Sequence, residues 1–320
     1  MSPFRLSPLL LLALAAGARA DYSFLVTQSP SGSNPGPYTN GVLRYNVNGA
    51  GVITAGTGIS AGQVVDPVGL ALSAGGELYV GNRNGNGNHP GGGSVSSFHY
   101  DAGTGAYVLD ANLAAGATGT HGINVSATGE LFAANVDGPV TRFQGTTASG
   151  TLNSGSARDV LLSPNGLFAY VTSGIDGNVQ KFSTASGALL NTYSVAGASG
   201  LHFGAWRGSD LYIADFGSGR VYDLTFDGAG DIASAAQAVA VNASIGVGFS
   251  PDGNEMLVTG HTTNTISRFS RSGTGWVANG TIATGSNLGD IQVVAAPVPE
   301  PATLAVLGIG ALGILRRRKR

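Results

Sequence analysis

Seven side chains have the types to do chemistry together: Asp66, His121, Asn124, Arg158, Asp159, His202 and Asp290. They fall at comparable points of a repeated segment, so a fold that sets the repeats around one axis would gather them at a channel mouth. Two imidazoles and several carboxylates on one axis could hold a divalent cation or a small polar ligand. The competing arrangement is structural: Arg158 pairs with Asp159 or Asp290, because charge taken out of water must be compensated. No two of the seven share a diagnostic metal-ligand spacing. The chain also lacks a Gly-x-Ser-x-Gly elbow, a His-Glu-x-x-His motif and a phosphate loop. Cysteine is absent, which excludes disulfides, thiolate zinc sites and cysteine catalysis. The expectation is a chain without catalytic residues, metal ligands or a resident cofactor, a divalent cation in the channel being the one addition to consider.

The elements that must position these residues repeat along the chain. Aligned segments begin at Asp66 (DPVGLALSAGGELYVGN), Thr120, Arg158, Ser199 and Ser244 (SIGVGFSPDGNEMLVTG). Each reads as a short apolar strand, a turn usually of Ser-x-x-Gly type, a second strand such as Leu78-Tyr79-Val80, a polar loop, and Gly-x-Val-x-x-Phe. Pro-Asn-Gly at Pro164 and Pro-Asp-Gly at Pro251 are turn chemistry between hydrophobic runs. With 52 glycines and no collagen-like period, the composition calls for many turns and many short strands. Repeat starts near Gly69, Gly122, Asp159, Gly200, Gly246 and Asp290 have the spacing of four-stranded propeller blades. Five units are complete. The sixth is split, its first strand at Asp290–Val294 and its next two at Phe24–Thr27 and Gly41–Tyr45, which closes the ring and removes the open edge. The fold class expected is an all-β, six-bladed propeller.

On these motifs the span from Asp21 to Ala295 resembles the NHL and gluconolactonase-like propellers, and more loosely the YncE-type surface propellers. The gluconolactonase resemblance implies a glutamate on the N-terminal inner strand with Asn and Asp ligands for a divalent cation. Glu77, Glu130 and Glu255 instead flank turns, and Glu300 is near the C-terminus. The longest insertion, Gly81–Gly93, is rich in Asn and Gly and reads as an exposed loop that could touch a glycan; it lacks the aspartates of calcium repeats.

The two ends differ in kind from the middle. Residues 1–20 have a basic start at Arg5, an apolar run Leu9–Ala16 and the small-x-small pair Ala18 and Ala20, the three parts of a secretory signal read by signal peptidase. Between the ends 9 basic side chains face 17 acidic ones, which excludes the dense basic face that nucleic acid needs. At the C-terminus, Pro299-Glu300-Pro301 stops regular structure. An uncharged stretch of 14 residues follows, Ala302–Leu315, and then the basic cluster Arg316–Arg320. As a helix that stretch is about 21 Å long, short of a hydrocarbon core of about 30 Å, and the basic cluster holds it on the cytoplasmic side. A plain tail anchor is the alternative.

From Val298 to Arg320 this tail resembles the PEP-CTERM sorting signal of Gram-negative bacteria. The resemblance implies cleavage near Pro299-Glu300-Pro301 by an exosortase, an inner-membrane intermediate, and a mature protein at the cell surface or outside the cell of an exopolysaccharide producer. The domain plan expected is a signal over 1–20, a propeller over 21–296 and a sorting tail over 297–320, with a short helix at each end. The function expected is binding or structural, toward exopolysaccharide or a surface protein; a metal-dependent propeller hydrolase or lactonase is the alternative.

Overall fold

The computed structural model describes residues 21–29, 41–60, 62–83, 93–114, 119–136, 138–284 and 287–295. The signal with Ala18 and Ala20, the sorting tail with Pro299, Glu300 and Pro301, both terminal helices and most of the Gly81–Gly93 loop lie outside the described residues.

Alternating apolar and polar residues over five to nine positions can bury one face only by packing sheet against sheet. This chain does so six times. Each of six antiparallel sheets has four strands. Blade 2 is β4 (Pro67–Leu72) to β7 (Ala106–Ala114), and blade 3 is β8 (Thr120–Val125) to β11 (Thr147–Leu152). Blade 4 is β12 (Asp159–Leu162) to β15 (Leu189–Ser194), and blade 5 is β16 (Leu201–Arg207) to β19 (Ile232–Ala240). Blade 6 is β20 (Ser244–Phe249) to β23 (Gly275–Ala283). Blade 1 takes its inner strand from the far end of the chain, in the order β24 (Leu288–Ala295), β1 (Tyr22–Gln28), β2 (Gly41–Val47), β3 (Ile53–Ile59). Val26 stands opposite Ile291 and Tyr22 opposite Ala295, so the split blade expected from the repeats is the closure observed.

The Ser-x-x-Gly turns recur in blades 2, 3, 4 and 6. The hydroxyls of Ser73, Ser126, Ser163 and Ser250 each accept the N–H that opens the second strand. Gly166 and Gly253, at φ +71° and +67°, take the left-handed backbone these turns require. Blade 5 turns instead through Gly208 and Ser209.

Six apolar clusters lie between neighbouring blades, for example Phe132, Leu152, Val160 and Phe182 between blades 3 and 4. The closing interface is also latched by charge. Glu255 of blade 6, fully buried, accepts the Tyr22 hydroxyl at 2.8 Å and pairs with Arg268 at 2.5 Å. Glu255 therefore does more than flank a turn.

Candidate functional site

The inner strands run in the same direction along the axis, so their first and last residues line opposite mouths. The two ends differ in size and chemistry.

At the narrow mouth a cavity of about 240 Å³ is lined by the second residues of four inner strands, Val68, His121, His202 and Ile245, and by Arg158, which directly precedes the inner strand of blade 4. Arg83, Phe216 and His261 complete it. His121 Nδ1 lies 3.1 Å from Arg158 O, His202 Nδ1 2.8 Å from Gly200 O, and His261 Nδ1 2.6 Å from Leu288 O. A carbonyl oxygen only accepts, so each Nδ1 carries the hydrogen. Burial pushes all three imidazoles below their ordinary value, His202 to about 4. For His121 the neighbouring His202 and then Arg158 add to the effect, and Arg158 acts on His202 as well. The rings are therefore neutral at neutral pH. The His121 ring stacks on Phe203 with centroids 5.0 Å apart and meets His202 edge-on at 5.6 Å. Asp66, at the rim, accepts the Ser29 hydroxyl and Arg83 Nε, the latter at 2.9 Å.

At the other end the cavity is about 670 Å³, with Asn124, Asp159, Trp206, Phe249, Asp252 and Asp290 in its wall. Asp159 and Asp290 are buried at its base. Asp159 accepts Val160 N–H at 2.8 Å and Gly204 N–H at 3.0 Å. Asp290 accepts Ile291 N–H at 2.7 Å and Leu70 N–H at 2.9 Å. Burial pushes both carboxyls up, Asp290 to about 7, and the charge of Asp290 raises Asp159 further. Val68, Phe203 and Ile245 form an apolar cluster of their own on the axis.

The seven sequence candidates thus do not share one mouth. His121, Arg158 and His202 line the narrow one, with Asp66 at its rim; Asn124, Asp159 and Asp290 belong to the wide one. The reason is geometric: side chains of successive residues point to opposite faces of a strand, and three residues cover about 10 Å of it. The two axial aspartates are held by main-chain N–H groups. Among the described residues no group of three or more His, Asp or Glu is arranged to hold a metal ion.

Residue-by-residue reading missed Arg83, Phe216 and His261. Each directly follows the second strand of its blade, and its N–H donates to the segment before the inner strand: Arg83 to Asp66 O, Phe216 to Gly200 O, His261 to Ala243 O. Comparing the repeats at that one position would have found them.

Residues 297–320 match the model of the PEP-CTERM protein-sorting motif. No curated protein sequence matches the chain. Among solved structures, a candidate 6-phosphogluconolactonase of Bacteroides fragilis superposes with TM-score 0.61 at 16% identity, over 86% of this chain and 98% of that one. The periplasmic gluconolactonase of Pseudomonas aeruginosa gives 0.60 at 18% identity, over 87% and 100%. A chain of a nidogen/laminin complex gives 0.64 at 14% identity, over 86% and 98%. At such identities the likeness is one of fold.

Proposed function

We propose that this chain, whose six-bladed propeller is followed by a PEP-CTERM sorting motif that implies export, exosortase processing and a membrane-held intermediate, binds exopolysaccharide or a surface partner without catalysis. The observation that carries the proposal is the sorting motif, two residues beyond the strand that closes the ring. In this reading residues 1–20 are removed by signal peptidase, residues 21–296 are the working domain, and the mature protein of a Gram-negative host ends at the cell surface or in its matrix. Each axial carboxylate is engaged by two N–H groups, an arrangement that suits ring architecture better than attack on a substrate. The axial cavities and not a ligated metal are then the places where a ligand is met. The test is a glycan array, with metal analysis, on mature protein recovered from the exporting host. Retention of polysaccharide by metal-free protein supports the reading; indifference to every glycan and surface fraction overturns it.

One observation favours a hydrolase or lactonase as the second reading. Asp290 keeps its proton to about 7 at the base of the larger cavity, as a general acid would. Turnover of lactones or glycosides by the mature protein, lost in Asp290→Asn, would establish it.

A further inference from the structure

A further cavity, of about 500 Å³, opens between blades 1 and 2 at the wide face. Its inner end is Ser73, Val294 and Ala295 beside the hub, and its outer end is Arg44 with Tyr100 and Tyr107. That outer end is aromatic and partly open. Tyr100 is 37% exposed and meets Tyr107 edge-on, with centroids 5.3 Å apart. Arg44 lies over the Tyr100 ring at 4.8 Å. Its guanidinium makes long contacts, 3.4 Å to Gly105 O and 3.5 Å to Ser23 Oγ. Among the described residues no carboxylate pairs with it, Asp21 of the same wall included. A guanidinium held on an aromatic wall without a counter-ion fits an acidic residue flanked by apolar rings.

The chain itself supplies such a residue. Ala295, the last residue of β24, stands in the groove wall, and the sequence continues Ala296-Pro297-Val298-Pro299-Glu300-Pro301. We propose that this proline-rich linker of the uncleaved precursor lies along the groove between blades 1 and 2, its proline rings on Tyr100 and Tyr107 and the Glu300 carboxylate on Arg44. Reach agrees. Proline at alternate positions favours an extended polyproline II backbone of about 3.1 Å per residue, which brings Glu300 about 16 Å from Ala295. Arg44 is on β2, two strand spacings or about 10 Å from β24. The chemistry agrees as well. Stiff, extended prolines seat on aromatic-lined grooves at little entropic cost. Tethering holds the linker beside its seat at roughly millimolar effective concentration, an advantage no free ligand has. Docking keeps the acidic residue of the sorting motif on the folded domain, and it is independent of any glycan bound at the mouths.

The test uses full-length precursor, purified in detergent from a host without exosortase. The chain has no cysteine, so an introduced pair reports proximity directly. Ala74→Cys, in the groove wall, with Val298→Cys should form a disulfide within one molecule under mild oxidation. Its yield should be at least tenfold that of a control pair, Asn153→Cys with Val298→Cys, since exposed Asn153 follows the outer strand of blade 3. Arg44→Glu should lower the groove yield at least threefold, Tyr100→Ala should lower it too, and Arg44→Glu combined with Glu300→Arg should restore it. Melting curves report whether each variant is folded. If the Arg44 and Tyr100 variants do not fold, the comparison of groove and control pairs decides alone. A groove yield no higher than the control, or one indifferent to folded Arg44→Glu, overturns the proposal. Disulfides formed only between molecules, seen as doubled mass, also overturn it, because the groove then takes the tail of a second copy.

Discussion

Asp159 and Asp290 stand on the inner strands of opposite blades, and each reaches across to an equivalent N–H of the next blade, Gly204 for the first and Leu70 for the second. Around the ring the equivalent position near the start of each inner strand reads Gly69, Gly122, Asp159, Phe203, Gly246, Asp290. Where it is glycine, adjoining backbones touch; where it is aspartate, a carboxylate stitches the same gap. The pair is thus a piece of ring architecture that repeats every half turn.

This has a pH signature. An aspartate with a raised folded-state value keeps its proton where the unfolded chain has lost it, so folding is penalised as pH rises from about 4 to about 7. Asp290→Asn retains an acceptor for Leu70 N–H and has nothing to ionise. Its melting temperature relative to wild type should climb between about pH 4.5 and 7.5 and then level off. The buried histidines work in the opposite direction, costing stability as pH falls below about 6.5, but they are common to both proteins and cancel in the difference. A difference constant with pH would show that Asp290 titrates like an exposed carboxyl.

Gly122 should tolerate no side chain. A Cβ there would lie 2.2 Å from Asp159 Oδ1 and 2.5 Å from Asp159 Cα, and its N–H already donates to Arg158 O at 2.9 Å. Since backbone must move, Gly122→Ala should cost about 3 kcal/mol or more, the upper range for overpacking, measured by urea unfolding. A cost under about 1 kcal/mol would mean the inner ring has slack.

The charged latch should matter more than its hydroxyl. Glu255→Gln leaves Arg268 without its carboxylate and should cost about 3 kcal/mol, while Tyr22→Phe should cost about 1 to 2 kcal/mol. Deleting Asp21–Tyr45 removes β1 and most of β2 and should abolish cooperative melting altogether. A truncated protein that melts as before would refute closure by the chain ends.

Processing is checked by mass spectrometry of the extracellular fraction. In a host with active exosortase the mature chain should end close to Pro299, and Glu300→Ala should accumulate uncleaved in the inner membrane. Peptides from Leu304–Leu315 in correctly located protein would mark the tail as a plain anchor.

The architecture was legible in the sequence because turn chemistry and strand pattern repeat together: the Ser-x-x-Gly turns are local signals, and the incomplete units left at the two chain ends pointed to the split blade. The mouths were less so. His121 and Asn124 sit three residues apart in one strand, and nothing local says that they serve different ends of the channel. Buried polar roles were also hidden. Glu255 looks like a turn residue until the chain ends meet and Tyr22 arrives 233 positions away. Asp215, the last residue of the second strand of blade 5, accepts Ser199 N–H and the Ser218 hydroxyl and so shapes the approach to that blade's inner strand.

The closing strand also has a mechanical consequence. β24 runs along the axis and ends at the wide face, paired antiparallel to β1 from Tyr22–Ala295 to Gln28–Leu288. Any pull transmitted through the C-terminus acts along that strand, so the bonds of this ladder are loaded together in shear, not peeled one at a time from an outer edge. Drag on a tethered molecule is borne at the hub of the wheel, and the outer strands β3, β7, β11, β15, β19 and β23 carry little of it.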